Sequence, residues 1–440
     1  MKPLTTILTL AMLATAQAQS LDKAKLDQLL DRLAEKNKGM GTLTLAKDGN
    51  VIYSRSFGYA QINANEKKPA TASTKYRIAS ITKTFTAVMI LQLVEEGKLR
   101  LTDTLDKFFP QIPNAARITL AQILLHRSGM AEIQPDGDWG KQHHTQEEFV
   151  ARIAQGSPSF EPDARSQYNN AGYHLLGYIV EKADRKPYPQ ALKERITSKA
   201  GLADTYLGEG NTSAARGEAL AYMYFGDRWI EASEPHFSVV AGAGGIVSTA
   251  TDLAKFIQAL FDRKLVSADS LKLMTTMRDG EGMGMVTFSF AGKTLYGNTG
   301  GSASTGAWLN YFPEEKLALA YTTNAKPYPV REIVAGIFDI YWNRPYQIPS
   351  FEAFQVSTDV LERYVGVSSV PGAPNKVNIT RDGATLYFRP ANQASGVALE
   401  ATAENKFKSG PVLVFEFDTE KGEMILTRGG QKIVFKKQQE

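Results

Sequence analysis

The stretch from Ile81 to Glu96 constrains this chain more than any other. Apolar residues fall on nearly every face of its helical projection (Phe85, Val88, Met89, Ile90, Leu91, Leu93 and Val94), and Gly97 ends the run. A helix that is apolar all round must be enclosed by other elements, so this one is predicted at the centre of a layered domain. No stretch of the chain reaches the ~18 uninterrupted apolar residues of a membrane-spanning helix.

The flanking pattern says what encloses it. Asp22 to Lys36 carries Leu26, Leu29, Leu30 and Leu33 at helical spacing on a charged background, an amphipathic surface helix. Thr42–Ala46 and Val51–Phe57 flank Lys47-Asp48-Gly49-Asn50, the signature of a hairpin. Residues 100 to 240 read as mostly helical, with loops rich in Pro, Gly and Asp. A helix over Thr251–Phe261 then precedes β-prone segments at 285–296 and 306–323, the second turning at Pro313-Glu314-Glu315-Lys316, and a last apolar helix spans Val330–Trp342. Strands, helices and returning strands make an α/β (α+β) sandwich of antiparallel sheet and helices with an all-helical insertion. After Asn343-Arg344-Pro345 and Pro349-Ser350 the composition changes to short β-prone runs at 375–380, 385–389, 397–399, 411–417, 423–427 and 431–436, a small all-β barrel or sandwich.

The first residues, MKPLTTILTLAMLATAQAQS, place Lys2 before an apolar run and end in the small pair Ala16 and Ala18. That is the layout of a secretory signal peptide over 1–18, so the expected protein is exported, periplasmic or secreted, without a stable membrane anchor. The expected domains are then 19–345, the α/β unit, and 350–440, the β-rich appendage.

Among the 440 residues there is no cysteine, which removes disulfides, thiol nucleophiles and Cys-ligated metals. Fifty basic against forty-six acidic residues give a net charge of +4, evenly spread, so no nucleic-acid partner is expected. There is no G-x-S-x-G elbow, phosphate loop or H-E-x-x-H, and the five histidines lack metal-ligand spacing. His143 and His144 read as solvated loop residues and His126 as structural. Neither metal nor cofactor is expected.

What remains is Ser80-Ile81-Thr82-Lys83 at the start of the buried helix, where i and i+3 share a face and helix-terminal amides favour a developing oxyanion. The same pattern recurs by accident at Ser20-Leu21-Asp22-Lys23, so it carries weight only in context. Tyr168-Asn169-Asn170 ahead of a helix and Asn298-Thr299-Gly300-Gly301 beside a β-prone run supply that context. Glycine at 300–301 lets backbone approach a ligand and offers an edge-strand amide. Gly244-Gly245 reads as a tight turn near the cleft.

Four longer strings extend the pattern: Tyr76-Arg77-Ile78-Ala79-Ser80-Ile81-Thr82-Lys83, Leu124-Leu125-His126-Arg127-Ser128-Gly129, Tyr168-Asn169-Asn170-Ala171-Gly172-Tyr173 and Ala243-Gly244-Gly245-Ile246-Val247-Ser248-Thr249. In this order they resemble the serine β-lactamase and penicillin-binding-protein superfamily, in its class C β-lactamase-like branch. That branch also holds D,D-carboxypeptidases, D-aminopeptidases and carboxylesterases. The part from Leu361-Glu362-Arg363-Tyr364-Val365-Gly366 onward resembles the small lipocalin-like barrel appended to many such hydrolases.

The resemblance implies Ser80 as nucleophile, Lys83 and Tyr168 as the base pair, Asn170, Asn298, Thr299, Gly300 and Gly301 as substrate-binding residues, and the amides of Ser80 and Gly301 as the oxyanion hole. Lys83 and Tyr168, with ordinary pKa values of about 10.4 and about 10, both need lowering to serve as base, and the choice between them stays open. Two departures stand out. Asn298 replaces the family's Lys or His, which weakens both the β-lactam and the D-Ala-D-Ala readings. Asp163 stands where the family has Gly. The implied partner is a small-molecule or peptide substrate, peptidoglycan-derived peptides included, cleaved at an amide, peptide or ester bond. The alternative is a non-catalytic cell-wall peptide or penicillin-binding sensor. Oligomeric state is unassigned.

Overall fold

Asp48 and Gly49 both adopt positive φ (51° and 82°), the geometry of a tight hairpin turn that joins strands Met40–Lys47 and Asn50–Phe57. In the computed structural model of the chain, which describes residues 21–63, 65–134, 137–225, 228–352, 354–372, 376–391, 396–409 and 413–438, this hairpin forms one side of a six-stranded antiparallel sheet. The expected signal peptide over 1–18 lies outside the described residues.

The other four strands come from the far end of the domain. Val286–Phe290, Lys293–Gly301, Gly306–Phe312 and Leu317–Ala325 follow one another, and the last pairs with Met40–Lys47. The segment expected as one strand over 285–296 turns at Ala291-Gly292, both at positive φ, so its second half runs on as a separate strand to Gly301.

Alternation along these strands divides the sheet's two faces. Leu43, Leu45, Leu319 and Tyr321 pack against the amphipathic helix Lys23–Glu35 and against Val330–Tyr341. Ala46, Ala318 and Ala320 join the inner core with the buried helix Thr82–Glu95 and the helix Ala250–Phe261. Phe85 and Phe256 stack between those helices with ring centroids 3.6 Å apart. The buried helix is therefore the centre of a layered domain, with helix Ala250–Phe261, which packs on the sheet, to one side and the helices of the insertion to the other.

The insertion holds the helices Leu120–Leu124, Gln146–Gln155 and Asn170–Asp184, and a run from Tyr188 to Ala200 with a π turn at Lys193–Thr197. Short strands interrupt it. Tyr206–Leu207 pairs with Ile246–Ser248, which pairs with Tyr76–Arg77 and so anchors the approach to Ser80.

The C-terminal region is a closed antiparallel barrel of strands Gly366–Ser369, Lys376–Asp382, Thr385–Pro390, Val397–Ala403, Lys406–Ser409, Leu413–Asp418, Glu423–Arg428 and Gln431–Lys437. Its interior is filled by side chains such as Ile379, Leu386, Phe407 and Phe415, with Leu361 and Tyr364 of the helix Thr358–Tyr364 packed into the same core. Lys38, buried, donates from Nζ to Glu400 Oε1 at 2.8 Å, joining the barrel to the α/β unit. Among the described residues no helix is long and apolar enough to cross a membrane.

Candidate active site

Ser80 is placed by a sharp change of backbone direction. Strand Tyr76–Arg77 ends with Ile78 N donating to Ile246 O, Ala79 takes a left-handed φ of 44°, and a single 3-10 turn over Ala79–Ile81 leads into helix Thr82–Glu95. A non-glycine residue in that region is strained, and such strain persists only where surrounding structure holds it. Here the hold is Gly300: a Cβ built on it would lie 2.0 Å from Ile78 O and 2.8 Å from Ser80 N. Strand Lys293–Gly301 thus lies directly on the Ser80 turn.

The first turns of the buried helix are polar, and each polar side chain has a partner. Thr82 Oγ1 accepts from Ile246 N, Thr84 Oγ1 donates to Gly284 O and Thr86 Oγ1 donates to Gly242 O. Lys83, 1% exposed, donates from Nζ to Ser80 Oγ at 3.1 Å, Asn170 Oδ1 at 2.8 Å and Ala243 O at 2.9 Å. The turn Ala241–Gly244 supplies that carbonyl by close backbone contact: a Cβ on Gly242 would meet Tyr173 O at 2.8 Å.

Tyr168 approaches Ser80 from the opposite side, its hydroxyl donating to Ser80 Oγ at 2.6 Å. Its loop is fixed by His126, which accepts from Asn169 N at Nδ1 (3.0 Å), takes Gln167 N on its carbonyl (2.8 Å) and packs its ring 4.6 Å from the Tyr168 ring. Asn169 then caps helix Asn170–Asp184 by accepting from Gly172 N.

Burial sets the protonation states. Desolvation lowers Lys83 to about 7, although Glu132 and Glu281 pull the other way. Tyr168 keeps 45% of its surface open, yet the protein around it still desolvates the phenol; that outweighs the Ser80 hydrogen bond and raises its pKa to about 12. Lys83 is neutral well before the phenol ionises, so no adjacent cation remains to help it. Of the two candidate bases, Lys83 moves in the direction a base requires and Tyr168 moves away from it. His126, desolvated and next to Lys83, falls to about 3 and is neutral.

Ser80, Tyr168 and Gly301 line both of two adjoining cavities, of about 660 and about 310 Å³, so the serine stands where they meet. Asn170 faces the larger; Asn298, Thr299 and Gly300 face the smaller. All eight sequence-predicted residues therefore surround one cleft. Among the described residues, no group of three or more His, Cys, Asp or Glu side chains is arranged to hold a metal.

These features match known proteins. A family model described as Beta-lactamase matches residues 26–339. The chain belongs to the beta-lactamase family. A penicillin-binding protein of Bacillus subtilis strain 168 is 28% identical over 412 residues, covering 87% of this chain and 90% of that protein. An octameric penicillin-binding protein homologue from Pyrococcus abyssi superposes with a TM-score of 0.65 at 25% identity, over 94% of this chain and all of that one. D-amino acid amidase from Ochrobactrum anthropi SV3, complexed with D-phenylalanine, superposes at 0.64 with 26% identity, over 73% of this chain and 99% of the amidase. This beta-lactamase-family chain is a serine hydrolase.

The fold also explains its two departures from the family pattern. Asn298 is engaged within the hydrolase itself: Nδ2 donates to Gly284 O at 3.3 Å and to Thr84 Oγ1 at 3.5 Å, and Oδ1 accepts from Thr299 N at 2.8 Å. Asp163 has a left-handed φ of 70°, a conformation glycine takes freely and Asp tolerates. Its carboxylate also accepts from Arg127 Nε at 2.6 Å and pairs with Arg278 at 2.9 Å, a bridge glycine could not make.

Two acids near Ser80 carry no signal in the sequence. Glu132 binds Asn170 twice, accepting from its N at 2.7 Å and its Nδ2 at 3.1 Å, which aims Asn170 Oδ1 at Lys83. Glu281 lines the smaller cavity. Each is a lone acid in an irregular segment, brought to the serine only by tertiary packing.

Proposed function

We propose that this serine hydrolase works through an acyl-enzyme on Ser80 and cleaves an amide, peptide or ester bond, D-amino-acid-containing amides and peptides included. The observation that carries the reading is Ser80 Oγ held between Lys83 Nζ and Tyr168 Oη at the junction of two cavities.

Lys83 in its neutral form accepts the Ser80 proton as Oγ attacks the substrate carbonyl carbon. The oxyanion that forms is held by the amides of Ser80 and Gly301; one such donor contributes about 3 kcal/mol to the transition state. The C–N or C–O bond then breaks, and the leaving amine or alcohol takes the proton from Lys83 directly or through the Tyr168 hydroxyl. Water adds to the ester carbonyl, gives its proton to the same groups, and Ser80 leaves, releasing the acid. Asn170, held by Glu132, positions Lys83, and Thr299 contacts substrate along the strand edge.

A neutral Asn298 with its amide already bonded offers no charge to the carboxylate of a β-lactam, so β-lactamase activity is weak under this reading. The run from Lys2 to Ala18 supports export to the periplasm or beyond. Turnover of a p-nitrophenyl ester, weak or absent turnover of a chromogenic cephalosporin, and loss of both in Ser80→Ala is the expected result. Ester turnover that survives Ser80→Ala overturns the reading.

A further inference from the structure

The smaller cavity contains one acid, Glu281, whose carboxylate has no hydrogen-bond or ion-pair partner among the described residues and feels only the more distant charge of Lys83. The ionisable groups lining the cavity are Lys83, His126, Tyr168 and Glu281. His126 is neutral, with Nδ1 taken by Asn169 N, and Tyr168 keeps its proton. Lys83 directs its hydrogens to Ser80, Asn170 and Ala243. The half-buried Glu281 carboxylate has no hydrogen bond or ion pair among the described residues. Glu132, the other carboxylate near Lys83, has both oxygens engaged by Asn170. Burial raises the Glu281 pKa and Lys83 pulls it the other way, so a cation entering the cavity would favour the ionised carboxylate.

Glu281 is also held firmly. Arg278 and Glu281 exchange backbone hydrogen bonds (2.8 and 3.1 Å), and Glu281 bridges Val286 at the start of the sheet. Arg278 pairs with Asp163 at 2.9 Å, Arg127 binds Asp163 at 2.6 Å, and Arg127 also pairs with Asp279. Two arginines and two aspartates thus clamp the 278–281 turn to the loop that leads to Tyr168, fixing the carboxylate's backbone relative to the nucleophile. Asn298, which lines the same cavity, brings no positive charge: it is neutral and its amide donates to Gly284 and Thr84.

We propose that Glu281 is a specificity residue that recognises a positively charged group on the substrate, an ammonium or quaternary ammonium close to the scissile carbonyl. The inference rests on the acyl-enzyme reading above and adds the substrate class: cationic esters, amides or peptides in preference to neutral or anionic ones. The cation enters the smaller cavity, approaches Glu281 and replaces the missing partner, and an anionic substrate is disfavoured by the same carboxylate.

Two substrate pairs test this and locate the charge. Alanine p-nitrophenyl ester against its N-acetyl derivative places the cation in the acyl part; acetylcholine against 3,3-dimethylbutyl acetate places it in the alcohol. In one pair the cationic member is expected to have a kcat/KM about tenfold or more above its neutral partner, the scale of a charge-assisted contact in a half-open site. That ratio should fall toward one in Glu281→Gln and invert in Glu281→Lys. Because each ratio is taken within one variant, a general loss of activity, or an altered Lys83, does not mimic the effect. Labelling of Ser80 in Glu281→Gln by a serine-directed phosphonate shows that its site is assembled. Ratios near one in both wild-type pairs, or a preference that Glu281→Gln leaves intact, overturn the proposal while ester turnover leaves the acyl-enzyme reading standing. A wild-type protein that neither cleaves the neutral esters nor takes phosphonate defeats that reading, and this inference with it.

Discussion

Lys83 Nζ lies 3.1 Å from Ser80 Oγ in a fully buried position where its other partners, Asn170 Oδ1 and Ala243 O, are uncharged acceptors. Without a directly bonded carboxylate the ammonium is poorly compensated, and the neutral amine becomes accessible near neutral pH.

The first consequence is kinetic. With Lys83 at about 7 and Tyr168 at about 12, kcat/KM should rise with pH through about 7 and stay on a plateau well into the alkaline range. Tyr168→Phe should keep that limb while lowering kcat by about 100-fold or more, the scale of a lost proton-transfer group. A limb that disappears in Tyr168→Phe would assign the base to the phenol instead.

The same displacement acts on stability. An unfolded lysine titrates near 10.4 and the folded Lys83 near 7, so between those values the unfolded chain binds more protons and this group's contribution to stability rises with pH. Below 7 the full cost of the buried ammonium is present. Lys83→Met removes it, so the melting temperature of the variant relative to wild type should be greatest near pH 6 and decline toward pH 10. Parallel melting curves across that range would contradict the depressed pKa.

Gly300→Ala should disable the enzyme through packing alone. Its Cβ would enter the Ile78 carbonyl and displace the Ser80 turn, and a misplacement of about 1 Å at a nucleophile costs about 100-fold in rate. Gly39→Ala, whose Cβ would meet Phe57 at an ordinary 3.5 Å, is the control and should keep near-normal kcat/KM and melting temperature.

Legibility in the sequence followed the range of the interactions. Ser80 and Lys83 are neighbours on one helix, and the turn chemistry around Asp48-Gly49 is local, so both could be read directly. Tyr168 and Asn170 could be placed only through the order of longer strings, and Gly300 only through the setting of Asn298-Thr299-Gly300-Gly301 beside a β-prone run, since a single Tyr or Gly has no periodicity. Glu132, Glu281 and the Arg127–Asp163–Arg278 clamp could not be read, because each joins segments that are distant in sequence through irregular backbone. The barrel strands Gly366–Ser369 and Lys406–Ser409 were missed for another reason: at four residues each, with Gly, Ser and Lys, they lack β-prone composition and exist because the barrel must close. Tyr168's protonation state depends on how much protein surrounds the phenol, a quantity no motif carries.

The central claim is that Ser80 becomes acylated during turnover, and intact-protein mass spectrometry of an acid-quenched reaction with a p-nitrophenyl ester tests it most directly. The account predicts a single added acyl mass that maps, after proteolysis, to the peptide containing Ser80, accumulates in a burst with p-nitrophenol, and is absent in Ser80→Ala. An acyl group on any other residue, or turnover by the wild-type protein with no covalent intermediate at any quench time, would contradict it.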